Sequence, residues 1–325
     1  MKERLTIMYL PPPADYDDCW QRDIIEGVGA EHELRVCAYA APVAPQFRDV
    51  DIVLDHGGSM GTREMADAAR SVRLWQILGT GFDHFDLDYW RQKKIPVANC
   101  PGQFSAVALA ECAIMFMLLL ARRWNEVQFN LRQGERNMPL GLELNDRRLG
   151  LVGFGTSARE LARRARVFGM KIAAVDILDI LPDEQREYGL EFAGKPEDLD
   201  RMISDSDYVS LHLHLNAQTR HIMDAGRLRL MKPTACMINV ARGALVDEDA
   251  LYETLLEGRL GGAGLDVFTA EPVDPSHRLL RLPNVVAMPH LSGATDGTSR
   301  RRAACAAMNI DRIASGLEPL YRIDT

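Results

Sequence analysis

Short apolar runs alternate with helical patterns along most of this chain. The run Leu149–Val152 has the length and composition of a buried parallel strand. A glycine-rich turn follows it, and then a stretch with apolar residues at helical spacing. A second apolar run, Lys171–Val175, ends at Asp176. The helical stripe consists of Ala158, Leu161, Ala162, Ala165 and Phe168. The pattern predicts a strand–turn–helix–strand unit over residues 149–176.

The turn inside this unit has the composition of a dinucleotide-binding turn. Gly153 permits a tight turn, and Gly155 leaves room for the backbone to approach a pyrophosphate. Ala158 is small enough for the helix to pack on the strand. The helix start at Thr156 and Ser157 offers N–H groups and a positive dipole end to phosphates. A plain structural turn is the alternative, but the flanking strands and helix favour cofactor binding.

Asp176 bears on which dinucleotide binds. An acid at the end of the second strand accepts hydrogen bonds from the adenosine ribose and repels a 2′-phosphate. Ile177 and Leu178, which follow it, supply no cation for such a phosphate. The sequence therefore predicts NAD in preference to NADP, with a solvated strand-end acid as the alternative.

The first hundred residues repeat the alternation of strands and helices. Two glycine-containing loops, 55–61 and 79–83, follow predicted strands, and ligands of parallel sheets bind at the carboxyl ends of strands. We therefore predict that these loops bind substrate. The predicted strands are 5–10, 34–39, 51–54, 74–78 and 96–100, and the predicted helices are 15–26 and 62–69.

The remaining elements continue the α/β pattern. A long apolar helix, 105–121, is predicted to bridge two domains, and a second helix covers 124–132. After Asp176 the predicted helices are 200–204, 225–231, 248–256 and 296–315, and the predicted strands are 208–214, 235–240, 263–267 and 285–288. Strands that alternate with helices in this way predict parallel sheets.

Length and composition exclude several classes of protein. The chain has 325 residues, 47% hydrophobic and 26% charged, with a net charge of −8. Two domains are expected, and the charge gives no reason to expect nucleic acid or an anionic membrane as partner. No apolar run is long enough for a membrane span, and no leader precedes Leu5. Six scattered cysteines, with no CxxC and no Cys/His cluster, predict a cytoplasmic protein with reduced thiols and no metal site.

Three strand ends in the second half carry polar residues that suit oxidation of a 2-hydroxy acid. Because parallel strands share a carboxyl edge, Arg242, Glu271 and His290 are predicted to converge on a nicotinamide. Histidine exchanges protons near neutral pH, so His290 is predicted to act as acid and base. Glu271 would orient its ring and favour the imidazolium. Arg242 would hold the substrate carboxylate and polarise the keto oxygen.

Each of these residues also has a structural interpretation. Arg242 by itself is compatible with a surface ion pair, Glu271 with a turn before Pro272, and His290 with a loop cap. Their common position on one edge of a dinucleotide fold favours the catalytic interpretation. Among the other histidines, His56 and His84 lie on first-domain loops within possible reach of a substrate.

Several motifs in the same order resemble the D-isomer-specific 2-hydroxyacid dehydrogenases. The resemblance covers nearly the whole chain. It is carried by Gly150–Asp176, Ser210–His212 with Thr219–His221, Ile238–Asp247, Gly264–Val267 with Glu271–Pro272, Pro289–His290 with Gly293–Thr295, and Gly79–Asp86.

The resemblance implies an α/β fold of two parallel-sheet domains, Rossmann-like and flavodoxin-like, with a cleft between them. The substrate domain would be discontinuous, 1–102 plus 292–325, and the NAD-binding Rossmann domain would cover 103–291. It further implies a homodimer built through the NAD domains and a 2-hydroxy or 2-oxo acid as the small-molecule partner.

The resemblance also implies binding residues. Arg242 and the backbone of the first-domain loops would bind substrate, and Asp266 would contact the nicotinamide carboxamide. The implied substrate residues are Gly57, Gly58, Gly79, Thr80, Gly81 and Arg242. The implied cofactor residues are Gly153, Gly155, Thr156, Ser157, Asp176, His212, Leu213, Thr219, Val240, Ala241, Asp266, His290, Ser292 and Gly293.

The chain departs from the family pattern at a few positions. Thr156-Ser157-Ala158 stands where Arg-Ile-Gly is usual, which removes a basic contact near the pyrophosphate, and His214 replaces a proline.

Two alternative functions stay open at this point. One is a non-catalytic NAD(H)-binding sensor similar to the corepressor relatives of the family. The other is formate or phosphite oxidation on the same fold.

Overall fold

A computed structural model describes residues 3–12, 19–57, 60–136 and 139–325, with the side chain of Cys19 excepted. The chain divides into two compact units. The first unit comprises 1–105 and 294–325, and the second comprises 106–293. The predicted boundaries lay at 102 and 291. The assignment of substrate to the first unit and NAD to the second stays a prediction.

The first unit is a five-stranded parallel sheet with helices. The strand order is β2-β1-β3-β4-β5, which is the flavodoxin-like order. Its elements are β1 (Thr6–Leu10), α1 (Cys19–Val28), β2 (Glu33–Val36), α2 (Val43–Gln46), β3 (Ile52–Asp55), α3 (Arg63–Ala68), β4 (Leu74–Ile77), α4 (Leu87–Gln92), β5 (Val97–Ala98) and, from the far end of the chain, α12 (Asp296–Ala314).

The second unit is a seven-stranded parallel sheet in the order β12-β11-β10-β9-β6-β7-β8. This is the Rossmann order with one further strand. Its elements are α5 (Ala106–Ala121), α6 (Trp124–Gln133), β6 (Arg148–Val152), α7 (Thr156–Val167), β7 (Lys171–Val175), α8 (Pro182–Tyr188), β8 (Leu190–Gly194), α9 (Leu199–Asp205), β9 (Tyr208–Leu211), α10 (Ala225–Leu230), β10 (Cys236–Asn239), α11 (Glu248–Leu256), β11 (Gly262–Leu265) and β12 (Val285–Ala287). The α/β fold class predicted from the sequence is confirmed.

Each sheet is buried on both faces, as parallel sheets require. In the second unit one core lies under α5 and α7, where Phe116 and Leu161 are fully buried, and another lies under α9 to α11. A side chain at Gly264 would meet Phe116 at 2.6 Å, so α5 packs directly on β11. The helix predicted to bridge two domains thus begins at the unit boundary and packs within the second unit.

Strand register positions the polar loops of the second sheet. Val152 pairs with Leu211, which places the glycine turn after β6 beside His212. Asn239 pairs with Leu265, and Leu265 with Ala287. The residues that follow these strands therefore lie along the carboxyl edge of the sheet. The predicted strand 208–214 is wrong beyond Leu211, and His212 lies in the loop at that edge.

The described ranges, 3–12, 19–57, 60–136 and 139–325, contain neither a membrane-spanning helix nor a metal-ligand cluster. No helix there has the length and apolarity needed to cross a membrane. Within the same ranges, no three His, Cys, Asp or Glu residues are grouped so as to hold a metal ion.

Candidate active site

His290 and Glu271 form a direct contact at the carboxyl edge of the second sheet. His290 Nδ1 lies 2.7 Å from Glu271 Oε2. The other oxygen of Glu271 accepts the Phe268 N–H at 2.9 Å, so the carboxylate is fixed on both sides. The His290 side chain is 46% exposed, which leaves Nε2 accessible. The structure therefore brings together the two residues that the sequence assigned to proton transfer.

The environment of Glu271 keeps it ionised. Burial alone would raise the pKa of this carboxyl. The hydrogen bonds from His290 and the Phe268 N–H, together with the positive charge of Arg242, outweigh burial and hold the pKa below its usual range. An ionised Glu271 fixes which ring nitrogen of His290 faces it.

The backbone at His290 turns the ring toward Glu271. Its φ of 59° lies in the left-handed region, which is uncommon for residues other than glycine, although Asn, Asp and His adopt it more often than the rest. The His290 N–H donates to the Asp266 carbonyl at 2.6 Å. An active-site residue held in an uncommon conformation needs support from its surroundings, and Asp266 supplies it.

Asp266 organises the whole histidine loop. It is fully buried, and its carboxylate accepts the N–H groups of Leu291 at 2.7 Å and Ser292 at 2.9 Å. The contact of Asp266 with the nicotinamide stays a prediction. The sequence does not predict its role in positioning the loop, because hydrogen bonds to backbone groups leave no signature in sequence.

Arg242 lies in the turn that follows β10. Buried Asn239 shapes this turn, since its side chain donates to the Arg242 carbonyl at 2.8 Å and accepts the Ala241 N–H at 3.1 Å. A side chain at Gly243 would come within 2.0 Å of the Phe268 backbone, so the arginine turn packs tightly on the glutamate loop. Arg242 Nη1 donates to the Ala241 carbonyl at 2.7 Å. The three residues predicted for catalysis thus lie on adjacent loops.

The glycine turn after β6 fits a pyrophosphate. Gly153 has a φ of 87°, and a side chain there would meet the His212 carbonyl at 2.7 Å. Gly155 precedes the first turn of α7, and a side chain there would meet no atom within 4 Å. The space in front of the helix N-terminus is therefore open, as a bound phosphate requires.

His212 is a neutral residue between two serines beside this turn. Its Nδ1 lies 2.9 Å from Ser157 Oγ, and its Nε2 lies 2.9 Å from Ser210 Oγ. Burial lowers the pKa of His212 to about 3. A neutral ring needs one donor and one acceptor as partners, and two hydroxyls provide both. Ser157, a departure from the family pattern, thereby anchors the cofactor turn to β9.

The other predicted cofactor residues lie on the same edge. The Thr219 hydroxyl donates to the His214 carbonyl at 2.7 Å and closes the loop after β9. Val240 is buried, whereas Leu213 and Ala241 are partly buried. Thr156 starts α7, Ser292 is buried and Gly293 follows it. Contact of these residues with NAD stays a prediction.

Asp176 is held by backbone N–H groups. Its carboxylate accepts from Phe154 at 2.6 Å and from Leu178 at 2.8 Å. The structure also brings a cation to this loop. Lys195 Nζ lies 2.9 Å from the Ile177 carbonyl and 2.7 Å from Asp179. Lys195 is distant from Asp176 in the chain, so the residues next to Asp176 in the sequence do not indicate it.

The predicted substrate loops of the first unit lie side by side. A side chain at Gly79 would meet the Gly57 Cα at 3.2 Å, so the two loops approach closely at their glycines. His84 Nε2 lies 3.1 Å from the Gly57 carbonyl. The Thr80 carbonyl accepts a hydrogen bond from Asn99 at 2.8 Å, and Gly81 is partly buried. Gly58 lies outside the described residues.

A buried acid shapes the first of these loops. Asp55 is fully buried at the end of β3. Its carboxylate accepts the N–H groups of Met60 and Gly61, each at 3.1 Å, and the Trp75 indole N–H at 2.9 Å. The loop after β3 is thus tied at both ends to one side chain.

Comparison with known proteins identifies the family of this chain. A family model described as "D-isomer specific 2-hydroxyacid dehydrogenase, NAD binding domain" matches residues 114–292. The chain is 37% identical to a hydroxypyruvate reductase of Thermotoga maritima, over 78% of this chain and 81% of that protein. It is 36% identical to a glyoxylate reductase of Korarchaeum cryptofilum, over 79% and 77% of the two chains.

A solved structure extends the similarity to almost the whole fold. The D-lactate dehydrogenase of Aquifex aeolicus, crystallised with NAD and lactic acid, has a TM-score of 0.77 and 25% identity, with 95% of this chain and 96% of that chain covered. The family match spans more than half of the chain, and the two reductases exceed 30% identity. The chain therefore belongs to the D-isomer specific 2-hydroxyacid dehydrogenases and is an NAD-dependent oxidoreductase that interconverts 2-hydroxy and 2-oxo acids, as its sequence predicted.

Proposed function

We propose that this enzyme reduces a small 2-oxo acid to the D-2-hydroxy acid, with His290 as acid and base, Glu271 as its positioning residue and Arg242 as the substrate clamp. The observation that carries these roles is the 2.7 Å contact between His290 Nδ1 and Glu271. A histidine held through one ring nitrogen by a carboxylate presents the other nitrogen for proton transfer.

Each of the three residues has its own role in the proposed reaction. NADH, when bound, supplies the hydride to the carbonyl carbon. His290 Nε2 donates the proton to the carbonyl oxygen, and Glu271 stabilises the imidazolium before transfer. The Arg242 guanidinium holds the substrate carboxylate through its planar fork. In the oxidative direction His290 takes the hydroxyl proton.

The names of the relatives indicate which substrates to test first. The two reductases compared above act, by name, on hydroxypyruvate and glyoxylate. We infer a substrate of similar size for this enzyme. NADH oxidation should be followed by absorbance with glyoxylate, hydroxypyruvate, pyruvate and bulkier 2-oxo acids. Turnover with any of them supports the proposal, whereas NADH binding without turnover across the panel would contradict it and favour the sensor function.

Asp176→Ala is expected to weaken NADH binding and relax discrimination against NADPH. The substitution removes the ribose acceptor and the charge that repels a 2′-phosphate, and it leaves Lys195 nearby. Loss of hydrogen bonds to a charged group corresponds to about a 10- to 100-fold rise in the KM for NADH. KM values for both cofactors provide the measurement.

The matched control for this prediction is Asp179→Ala. Asp179 belongs to the same loop but is 80% exposed and is paired with Lys195. Asp179→Ala should change the ratio of the KM values for NADH and NADPH much less than Asp176→Ala does. An unchanged ratio in Asp176→Ala would place cofactor selectivity elsewhere.

We further propose that the enzyme is a homodimer in the cytoplasm. Large apolar side chains are exposed on and after α6, where Trp124, Phe129 and Leu131 are 46%, 62% and 67% exposed and Leu140 is 85% exposed. Several strongly exposed apolar side chains within one short segment favour a protein interface there. Five cysteines are free and buried, which suits a reducing compartment.

Phe129→Asp combined with Leu131→Asp is expected to convert the dimer to a monomer, because two charges would be buried without partners in the interface. Light scattering coupled to gel filtration measures the mass. Val167→Asp, at a position 87% exposed on α7, is the control and should stay dimeric. A monomeric wild type would contradict the proposed assembly.

A further inference from the structure

Glu248 is the first residue of α11, but its carboxylate does not cap that helix. The N-cap is Asp247, whose side chain accepts the Ala250 N–H at 3.1 Å. The Glu248 side chain is only 18% exposed and reaches the loop that carries Glu271, where its Oε1 accepts the Thr269 N–H at 2.6 Å. The reaction proposed above does not use Glu248, so its contact with this loop calls for a separate explanation.

The peptide group between Phe268 and Thr269 is held by two features of the second unit. Its N–H is bound by Glu248, as just described. A side chain at Gly243 would come within 2.0 Å of the Phe268 carbonyl carbon and 2.3 Å of the Thr269 nitrogen, so the same peptide packs directly on this glycine. Because a peptide group is planar, a hydrogen bond at its N–H also restrains its carbonyl end. Glu248 therefore helps to hold this peptide against the turn that begins at Arg242.

The preceding amide of the same segment fixes the acid of the active site. The Phe268 N–H donates to Glu271 Oε1 at 2.9 Å, and Glu271 Oε2 lies 2.7 Å from His290 Nδ1. Two successive N–H groups thus bind two carboxylates, one from α11 and one in contact with the histidine. Both amides are attached to the Phe268 Cα, so freedom at the Thr269 N–H would loosen the donor that fixes Glu271.

The Phe268 side chain is also restrained through Glu248. Its buried ring contacts the His277 ring edge to face, with 5.5 Å between the centroids. His277 Nε2 in turn lies 3.6 Å from the second carboxylate oxygen, Glu248 Oε2. His277 follows the loop that carries Glu271, and all of these residues belong to the second unit. One side chain therefore contacts the segment 268–277 at both of its ends.

We propose that Glu248 is a positioning residue for proton transfer. It holds the Phe268–Thr269 peptide so that the Phe268 N–H fixes Glu271, and through Glu271 it fixes the ring of His290. This inference rests on the proposed function of the last two residues. The alternative is that Glu248 only stabilises α11, since an acid in the first turn of a helix interacts favourably with its dipole. Helix stabilisation would change Tm and leave kcat unaltered, whereas positioning requires a change in kcat.

Glu248→Ala is expected to lower kcat for 2-oxo acid reduction by about 10- to 100-fold, the scale of a small displacement of a catalytic group. The KM for the 2-oxo acid should change by less than about threefold, because the lost interaction acts in the transition state and not in substrate binding. Glu248→Gln keeps an acceptor oxygen for the Thr269 N–H and should recover most of the lost rate. Initial rates with glyoxylate and hydroxypyruvate at saturating NADH measure both constants.

The matched control is Asp249→Ala. Asp249 is the next residue of α11, is 91% exposed and pairs with Arg278, beyond the end of the loop. Exposed ion pairs contribute little, so this variant should keep the kcat of wild type. An equal loss of kcat in Glu248→Ala and Asp249→Ala would overturn the inference. So would an equal loss in Glu248→Ala and Glu248→Gln, because the hydrogen bond to Thr269 would then not be the cause.

A double-mutant cycle tests whether Glu248 acts through Glu271. Removal of Glu248 should matter little once Glu271 is absent, because nothing is left to position. In a Glu271→Ala background, Glu248→Ala is therefore expected to lower kcat by less than about twofold. The full loss seen in the wild-type background, repeated in this background, would contradict the proposed route.

Hydrogen exchange separates this inference from the proposed function, because it needs no substrate. The Phe268 amide, whose acceptor is Glu271, should lose protection in Glu248→Ala and keep it in Asp249→Ala, as measured by mass spectrometry with fragmentation. If no 2-oxo acid is turned over, the proposed function fails, and this loss of protection still supports Glu248 as the residue that holds Glu271. Unchanged protection of the Phe268 amide in Glu248→Ala would overturn the inference even in an active enzyme.

Discussion

Replacement of His290 by asparagine is expected to lower kcat for 2-oxo acid reduction by about 10²–10⁴-fold, the usual contribution of general acid–base catalysis. Asparagine is chosen because the backbone at this position is left-handed, with a φ of 59°, and asparagine tolerates that conformation better than alanine. The amide preserves the loop but cannot transfer a proton to the substrate. Steady-state rates with saturating NADH measure the effect.

A comparison with His290→Ala separates chemistry from backbone strain. Both variants should lose activity to a similar extent, whereas alanine should also lower the Tm. NADH affinity, measured by fluorescence, should stay within a few-fold of wild type in the asparagine variant. Rates like those of wild type in either variant would remove His290 from the mechanism.

Arg242→Ala is expected to lower kcat/KM for the 2-oxo acid by about 10³-fold, with contributions from both KM and kcat. The guanidinium holds the carboxylate and polarises the keto oxygen, and loss of one group that stabilises developing charge costs about 10²–10³ in rate. The expected loss lies at the upper end of this range because substrate binding is weakened as well. Initial rates across a wide range of substrate concentration separate the two contributions.

Arg242→Lys provides the matched control. Lysine keeps the charge but lacks the planar fork, so it should recover part of the binding and little of the rate. Asn239 makes two hydrogen bonds within the turn that do not depend on the arginine side chain, so neither variant should change the fold. Saturation kinetics unchanged from wild type in Arg242→Ala would exclude the clamp role.

The second unit shows what a sequence pattern can predict. The unit 149–176 was placed to within a residue, because its runs are continuous, its glycines are spaced for a turn and its helix has a complete apolar stripe. Helix Pro182–Tyr188 and strand Leu190–Gly194 were missed. Both are short elements beside the sheet edge with few buried residues, so their hydrophobic pattern is weak. Pro182 at the helix start and Gly189 at its end were the available signals.

Only one general rule of parallel sheets made part of the site predictable from the sequence. The rule that parallel strands share a carboxyl edge was enough to group Arg242, Glu271 and His290. It carries no information about contacts made across that edge. The hydrogen bonds of Asp266 to the histidine loop, and the approach of Lys195 to Ile177, depend on how distant loops pack. Such contacts follow from tertiary structure and not from local pattern.

The division of the first unit between two distant chain segments has a consequence for synthesis on the ribosome. The sheet that begins at β1 needs α12 to cover its core, and Ile323 donates its N–H to the Val97 carbonyl on the edge strand β5. A nascent chain must therefore carry an incomplete first unit while all of residues 106–293 are made. The second unit is contiguous and is expected to fold first. Until residues 294–325 are translated, the apolar surface of the first unit stays uncovered, where it is accessible to chaperones and prone to aggregation.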